Sequence, residues 1–306
     1  MRTGRDTLNR PRKHNDNAVA LLFLLPALAG FLIFIIFPVV ASLLLSFTKW
    51  DFLSGFGNIK FVGLDNFKYL LGGDDVWFNA SFVNTLGFSI ATVVIGMFLS
   101  LVIAVLLDKY VFAPGVFRVI VFIPYISSIV ASVIVWQVVF QPSYGPVNEF
   151  LFSLGIQNPP KWFVDVHWAL PMIIIFSIWQ TLGYNVVVFL AGLKNISKEL
   201  YEAADIDGAS EIQKFFKITV SMISPTTFFL TTMGIISSFK VFDAIKVATG
   251  GGPGRATSVV AFYIYREAFE QYRMGTASAA AWIMFIFIFL VTLIQLRGQK
   301  KWVTYE

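Results

Sequence analysis

The residues whose types and spacing allow chemistry fall into three groups, and none is arranged for making or breaking covalent bonds. Gln180 and Tyr184 stand four positions apart, with Asn185 beside them and Trp179 just before; Met233, Ser237 and Lys240 follow at intervals of four and three, after Thr232. On a helix Gln180 and Tyr184 share one face, as do Met233, Ser237 and Lys240. Neutral hydrogen-bonding groups beside aromatic surface suit a polyhydroxylated solute such as a sugar, although polar groups in apolar helices more often bind helix to helix. Lys240 has two readings: contact with a hydroxylated or anionic solute, or a structural one, reaching to the membrane interface or pairing with Asp243.

The second group is acidic: Glu202, Asp205 and Asp207. Metal binding or acid–base catalysis there lacks a histidine, since the two in the sequence, His14 and His167, are isolated. The absence of cysteine removes disulfides, thiolate metal ligands and cysteine nucleophiles. The third group, Gly250 to Gly254 followed by Arg255, invites comparison with a phosphate-binding loop. That loop needs G-x-x-x-x-G-K-[ST] opening a helix; here the spacing is wrong and the lysine is missing. No catalytic residue, metal ligand or nucleotide site is expected in the chain.

The elements that must position these groups are long and apolar. Of 306 residues, 57% are hydrophobic and only 13% charged, against roughly a quarter charged in soluble domains. The apolar residues gather in blocks of the length that crosses about 30 Å of hydrocarbon. Six spans are expected: 18–47, 84–107, 119–140, 168–193, 218–241 and 276–296, with Lys240 their one charged residue. Pro26, Pro38, Pro124, Pro171 and Pro225 fall inside them, which a bundle tolerates as kinks. The first block is too long for a signal-peptide core and is read as a retained span. Residues 1–17, with Arg2, Arg5, Arg10, Arg12 and Lys13, form a tail, as do residues 297–306. With both tails cytoplasmic, fourteen Lys and Arg fall inside and eight outside, which supports that orientation. The net charge of +5 is accounted for at membrane edges and implies no nucleic acid. No internal repeat is present.

The one long inside connection, 194–217, predicts two short helices across a glycine elbow. Ser197 is placed to cap the first, which runs to Ile206; Gly208 permits a positive-φ break; Ser210 caps the second with Gln213 at its third position. Leu200, Ala203, Ala204 and Ile206 give the first helix a small apolar face flanked by Glu199, Glu202 and Asp205, a docking element for a groove in another protein.

Glu202-Ala203-Ala204, Asp207-Gly208-Ala209 and Phe215-Phe216-Lys217-Ile218-Thr219 resemble the EAA loop of ABC importer permeases. The resemblance extends through Phe61 to Phe67, Pro142-Ser-Tyr144-Gly-Pro146, Phe189 to Leu193, Thr249 to Gly254 and Tyr263 to Phe269. Together these are similar to the carbohydrate-uptake branch, the maltose- and glycerol-phosphate-type subunit. Val220 and Ser221 stand where that family usually has a Leu-Pro step.

The resemblance implies an all-α integral membrane protein of six transmembrane helices with the type I ABC importer permease fold, in the bacterial cytoplasmic (inner) membrane. It implies that Glu202, Ala203, Ala204, Asp207 and Gly208 couple to an ATPase, and that the helices carrying Gln180, Tyr184, Asn185, Met233, Ser237 and Lys240 line a sugar site. Tyr144, Gly251, Gly252 and Pro253 are implied to contact an extracytoplasmic solute-binding protein. The implied partners are a second permease, an ABC ATPase dimer, which holds ATP and Mg, and that binding protein. The chain itself holds no cofactor and performs no covalent chemistry. The competing class, an ion-coupled secondary carrier, normally requires buried carboxylates or histidine in its spans, and none is present.

Overall fold

Backbone N–H and C=O groups find no partner in hydrocarbon, so an apolar chain closes its hydrogen bonds within helices. The computed structural model describes residues 16–73, 76–109 and 114–304 and follows that rule. The expected tail at 1–17 lies outside the described residues, apart from its last two.

The first span is α1 (Asp16–Phe31), a π-helical turn at Leu32–Ile36, and α2 (Phe37–Ser46). An antiparallel ribbon follows, β1 (Thr48–Lys49) with β2 (Lys60–Phe61), pairing Thr48 with Phe61. Next come α3 (Asp65–Leu71) and α4 (Val83–Lys109). Beyond them lie α5 (Pro114–Ile126), α6 (Ile129–Val139), α7 (Pro146–Ser153) and α8 (Ala169–Lys194). The connection 194–217 holds α9 (Lys198–Ile206) and α10 (Glu211–Lys214), and a π-helical turn at Phe215–Thr219 leads into α11 (Val220–Met222) and α12 (Ser224–Phe239). The chain ends with α13 (Asp243–Ala248), α14 (Val260–Tyr265) and α15 (Met274–Gly298).

Among the described residues four helices are individually long and apolar enough to cross a membrane: Ala20–Ser46, Val76–Lys109, Ala169–Lys194 and Met274–Lys301. Two bent pairs bring the number to six when each counts as one span: Gly115–Ile126 with Ile129–Val139, at 98°, and Glu211–Met222 with Ser224–Phe239, at 63°.

The third span, expected as a single helix over 119–140, is therefore broken rather than merely kinked. Pro124 has no N–H to continue the ladder. The Ser127 N–H turns back to the Pro124 carbonyl at 3.3 Å, and Ser128 takes an extended ψ of 125° before α6 begins. The Ser127 hydroxyl donates to the Ile123 carbonyl at 2.8 Å, so the break keeps its polar groups bonded. The fifth span bends where Pro225 opens α12. There the Ser224 hydroxyl donates to Ser221 O at 2.6 Å and accepts from Thr304 N at 3.0 Å.

Among the described residues three apolar clusters hold the bundle, and two of them flank the site. One joins Phe88 of α4 and Val133 of α6 to Ile173 and Phe176 of α8 and Ile245 of α13; the other joins Ala104 and Leu107 of α4 to Val186, Phe189 and Leu190 of α8 and Leu230 of α12. Helices α5 and α8 touch backbone to backbone at Gly183, where any Cβ would run into the carbonyl of Val121. Small residues at such crossings are what let membrane helices pack without a hydrophobic driving force.

Candidate functional site

The 26-residue α8 carries Ser177, Gln180, Thr181, Tyr184 and Asn185 along one side, and α12 carries Met233, Gly234 and Ser237 on the side that faces it. Between them lies a cavity of about 370 Å³, closed by Thr92, Val93 and Met97 of α4 and by Tyr125 and Ile129 at the break between α5 and α6. Ligand pockets for small molecules start at about that size. Lys240 and Asp243 line the end of the cavity beyond α12.

All six residues expected to face solute, Gln180, Tyr184, Asn185, Met233, Ser237 and Lys240, line this one cavity. Gln180 is 9% exposed, and its amide makes no hydrogen bond to the described residues. The amide opens onto the cavity, where a ligand can bond to it. The Tyr184 ring stacks on that of Tyr125 with centroids 4.9 Å apart at 21°, giving a flat aromatic wall. Among the described residues Lys240 and Asp243 form no ion pair, with each other or elsewhere. The sequence-level alternative of a Lys240–Asp243 pair is thus not what the structure holds.

Trp179 and Thr232 are not among the lining residues. Trp179 packs instead against Trp136 and Phe176, with centroids 5.3 and 5.9 Å away, and the Thr232 hydroxyl bonds to the Phe228 carbonyl at 2.9 Å. Sequence reasoning missed Tyr125, Ser177, Thr181 and Thr92 as lining residues and named Asp243 only as a partner for Lys240. Ser177 and Thr181 were findable, since they continue the Gln180–Tyr184 face by one helical turn.

At the other end of α8 the chain forms the elbow. The Ser197 hydroxyl accepts the Glu199 N–H at 3.3 Å, Gly208 sits at φ 75°, and Ser210 with Gln213 makes a reciprocal capping box on α10. Glu202, Ala203, Asp207 and Gly208 are exposed and Ala204 is half-buried. Leu200, Ile206 and Ile212 leave large apolar surfaces uncovered, Ile206 at 87% exposure.

Beneath this surface Lys214 is 8% exposed and donates to Asp205 Oδ1 at 2.6 Å while touching the Glu211 carboxylate. The hydrogen bond to Asp205, joined by that to Glu211, pushes the Lys214 ammonium above its usual range. Lys214, seconded by Lys109 at 3.0 Å, holds Glu211 below the usual carboxylate range.

On the face around α6, α7 and α13, the four expected contact residues are differently disposed. Tyr144 is 64% exposed, Gly252 and Pro253 are partly exposed, and Gly251 is buried against the Phe262 ring. The Thr257 hydroxyl donates to Gly252 O at 2.8 Å and fixes the glycine loop. The Gln137 amide ties α6 to that region through Ala248 O at 2.9 Å. Among the described residues no three His, Asp or Glu side chains gather to hold a metal ion.

A broken-helix bundle around a half-polar cavity, with an exposed two-helix elbow at one end, is the type I importer permease fold. The chain superposes on a subunit of a bacterial ABC transporter that imports the acidic polysaccharide alginate, with a TM-score of 0.82 over 94% of this chain and 96% of that one at 24% identity. It belongs to the family described as the binding-protein-dependent transport system inner membrane component, which matches residues 93–303. Among its relatives is the probable ABC transporter permease protein YesP of Bacillus subtilis, 37% identical over 99% of this chain and 97% of the relative. The sn-glycerol-3-phosphate transport system permease protein UgpA of Yersinia enterocolitica is 32% identical over 93% and 95%. The arabinooligosaccharides permease AraP of Bacillus subtilis is 31% identical over 93% and 89%. The chain is thus an integral membrane permease subunit of an ABC importer.

Proposed function

We propose that this permease, paired with a second one, forms the path by which a sugar or sugar-like solute crosses the bacterial cytoplasmic membrane, with both termini in the cytoplasm. A solute-binding protein delivers the solute to the face bearing Tyr144 and the Gly251–Gly252–Pro253 loop. A separate ATPase dimer, which binds ATP and Mg, drives the cycle by moving α9 through Glu202, Ala203, Ala204, Asp207 and Gly208. Solute hydroxyls bond to Gln180, Tyr184, Asn185, Ser237 and Lys240, while Met233 and the stacked tyrosines cover the apolar faces of the ring. The observation that carries this reading is the convergence of those six residues, from α8 and from α12 and its end, on one cavity onto which the Gln180 amide opens. The names of relatives that take up arabinooligosaccharides or sn-glycerol-3-phosphate support the solute class.

The test is purification of the tagged chain from detergent, identification of what accompanies it by mass spectrometry, and an assay of ATP hydrolysis in the eluate across a panel of saccharides and polyols. Recovery of a second permease and an ATPase, with hydrolysis raised by a saccharide, is the expected result. A chain that purifies alone and transports in liposomes without ATP refutes the proposal.

A further inference from the structure

The elbow between α9 and α10 is bonded to a helix with which it shares no turn or short linker. Asp205 of α9 binds Lys214 of α10; Lys214 also binds Glu211; Glu211 binds Lys109, the last residue of α4. The two carboxylate oxygens of Glu211 serve different lysines, Oε1 for Lys214 and Oε2 for Lys109, so the four charges form an unbroken series. The Lys109 ammonium also lies 6.0 Å from the centre of the Tyr201 ring of α9. Exposed ion pairs taken singly contribute little. This series differs in having a buried lysine at its centre, which ties each carboxylate to a fixed point.

Covalently, α9 continues from α8 and leads through α10 and α11 into α12, so those two walls of the cavity feel any movement of α9 through the chain itself. Helix α4 does not. Its Thr92, Val93 and Met97 form a third wall, twelve or more residues from Lys109, on a helix unbroken from Val83 to Lys109.

We propose that the series Asp205–Lys214–Glu211–Lys109 is the strut through which displacement of α9 is passed to α4, and so to the third wall of the cavity. Lys109 and Glu211 are positioning residues in this scheme and do not touch solute. The proposal rests on the reading of α9 as the ATPase-coupled helix.

The absence of cysteine in the chain permits a direct test that needs no knowledge of the solute. In the complete transporter, paired spin labels are placed at Ile95→Cys on α4 and Phe285→Cys on α15, or at Phe229→Cys on α12 and the same α15 position, all exposed sites. Distances are measured with and without ATP plus vanadate. Both pairs are expected to change on trapping. Lys109→Met and Glu211→Gln are expected to abolish the α4 change while leaving the α12 change, and Lys109→Arg to preserve both. An α4 shift that persists in Lys109→Met, or that never occurs in the unsubstituted complex while α12 moves, overturns the strut and leaves the coupling reading standing. If α12 itself does not move on trapping, the coupling reading fails with it.

Discussion

Gln180 is where a single side chain says most about solute. Its amide faces the cavity and has no partner among the described residues, so Gln180→Leu roughly keeps the volume and removes the hydrogen bonds it can make to solute. Losing one or two such bonds to a neutral solute, at roughly 1–3 kcal/mol, raises the saccharide concentration for half-maximal ATPase stimulation about 5- to 150-fold. Insertion and complex yield are expected to stay as they are. The charges of the elbow make a prediction about pH. Lys214 is raised, so its contribution is complete below its ordinary 10.5 and lost only as pH rises through a still higher value. Glu211 is lowered, so its contribution is complete above its ordinary 4.5 and lost as pH falls through a lower value. Between those limits both keep their charge, and the ratio of solute moved to ATP hydrolysed in proteoliposomes is expected to be flat across neutral pH. Gln180 with Tyr184, and Met233 with Ser237, were legible in the sequence because a spacing of four on a helix translates directly into a shared face. Asn185, one position from Tyr184, and Lys240, past the end of α12, follow from no such spacing, and Trp179 turns into the Trp136 and Phe176 cluster.

Among the elements, the elbow and the α5–α8 crossing each make one demand on a glycine. At φ 75°, Gly208 has open space around it but a backbone conformation that costs a β-branched residue more than about 1–2 kcal/mol. Gly208→Val is therefore expected to turn α9 away from its set angle and abolish uptake, with the chain still inserted at normal levels by membrane fractionation. Gly183→Leu acts differently: its side chain meets the backbone of α5 rather than a movable side chain. That variant is expected to lose thermal stability in detergent and to yield little complex. The elbow could be read from the sequence because Ser197, Gly208, Ser210 and Gln213 are local signals whose hydrogen bonds span two or three residues. The 98° break of the third span could not. Pro124 announces a lost hydrogen bond, but kink or break is decided by what the freed groups find, here Pro124 O for Ser127 N and Ile123 O for the Ser127 hydroxyl. Tyr125 went unnoticed for the same reason, since only the break brings it against Tyr184.

For the whole molecule, the energy source is the decisive question. The described spans hold no acidic cluster of the kind that binds coupling ions, and the elbow leaves Leu200, Ile206 and Ile212 uncovered. Uptake in cells is therefore expected to continue when an uncoupler collapses the proton gradient with ATP held constant, as followed by labelled saccharide; collapse of uptake under those conditions would restore the secondary-carrier reading. The first span bears on a different matter. Within this chain Ala20–Ser46 buries none of its most apolar stretch, and a bond between it and the rest runs from Trp282 of α15 to Ser42, at 3.3 Å. Ser46 and Met274, where α15 begins, are 228 positions apart. At roughly 5–20 residues per second, a ribosome takes on the order of tens of seconds to cover that distance. Throughout that interval the nascent first helix stands in the lipid without the α15 contact, and a surface that is apolar all round meets that demand of the timetable of synthesis.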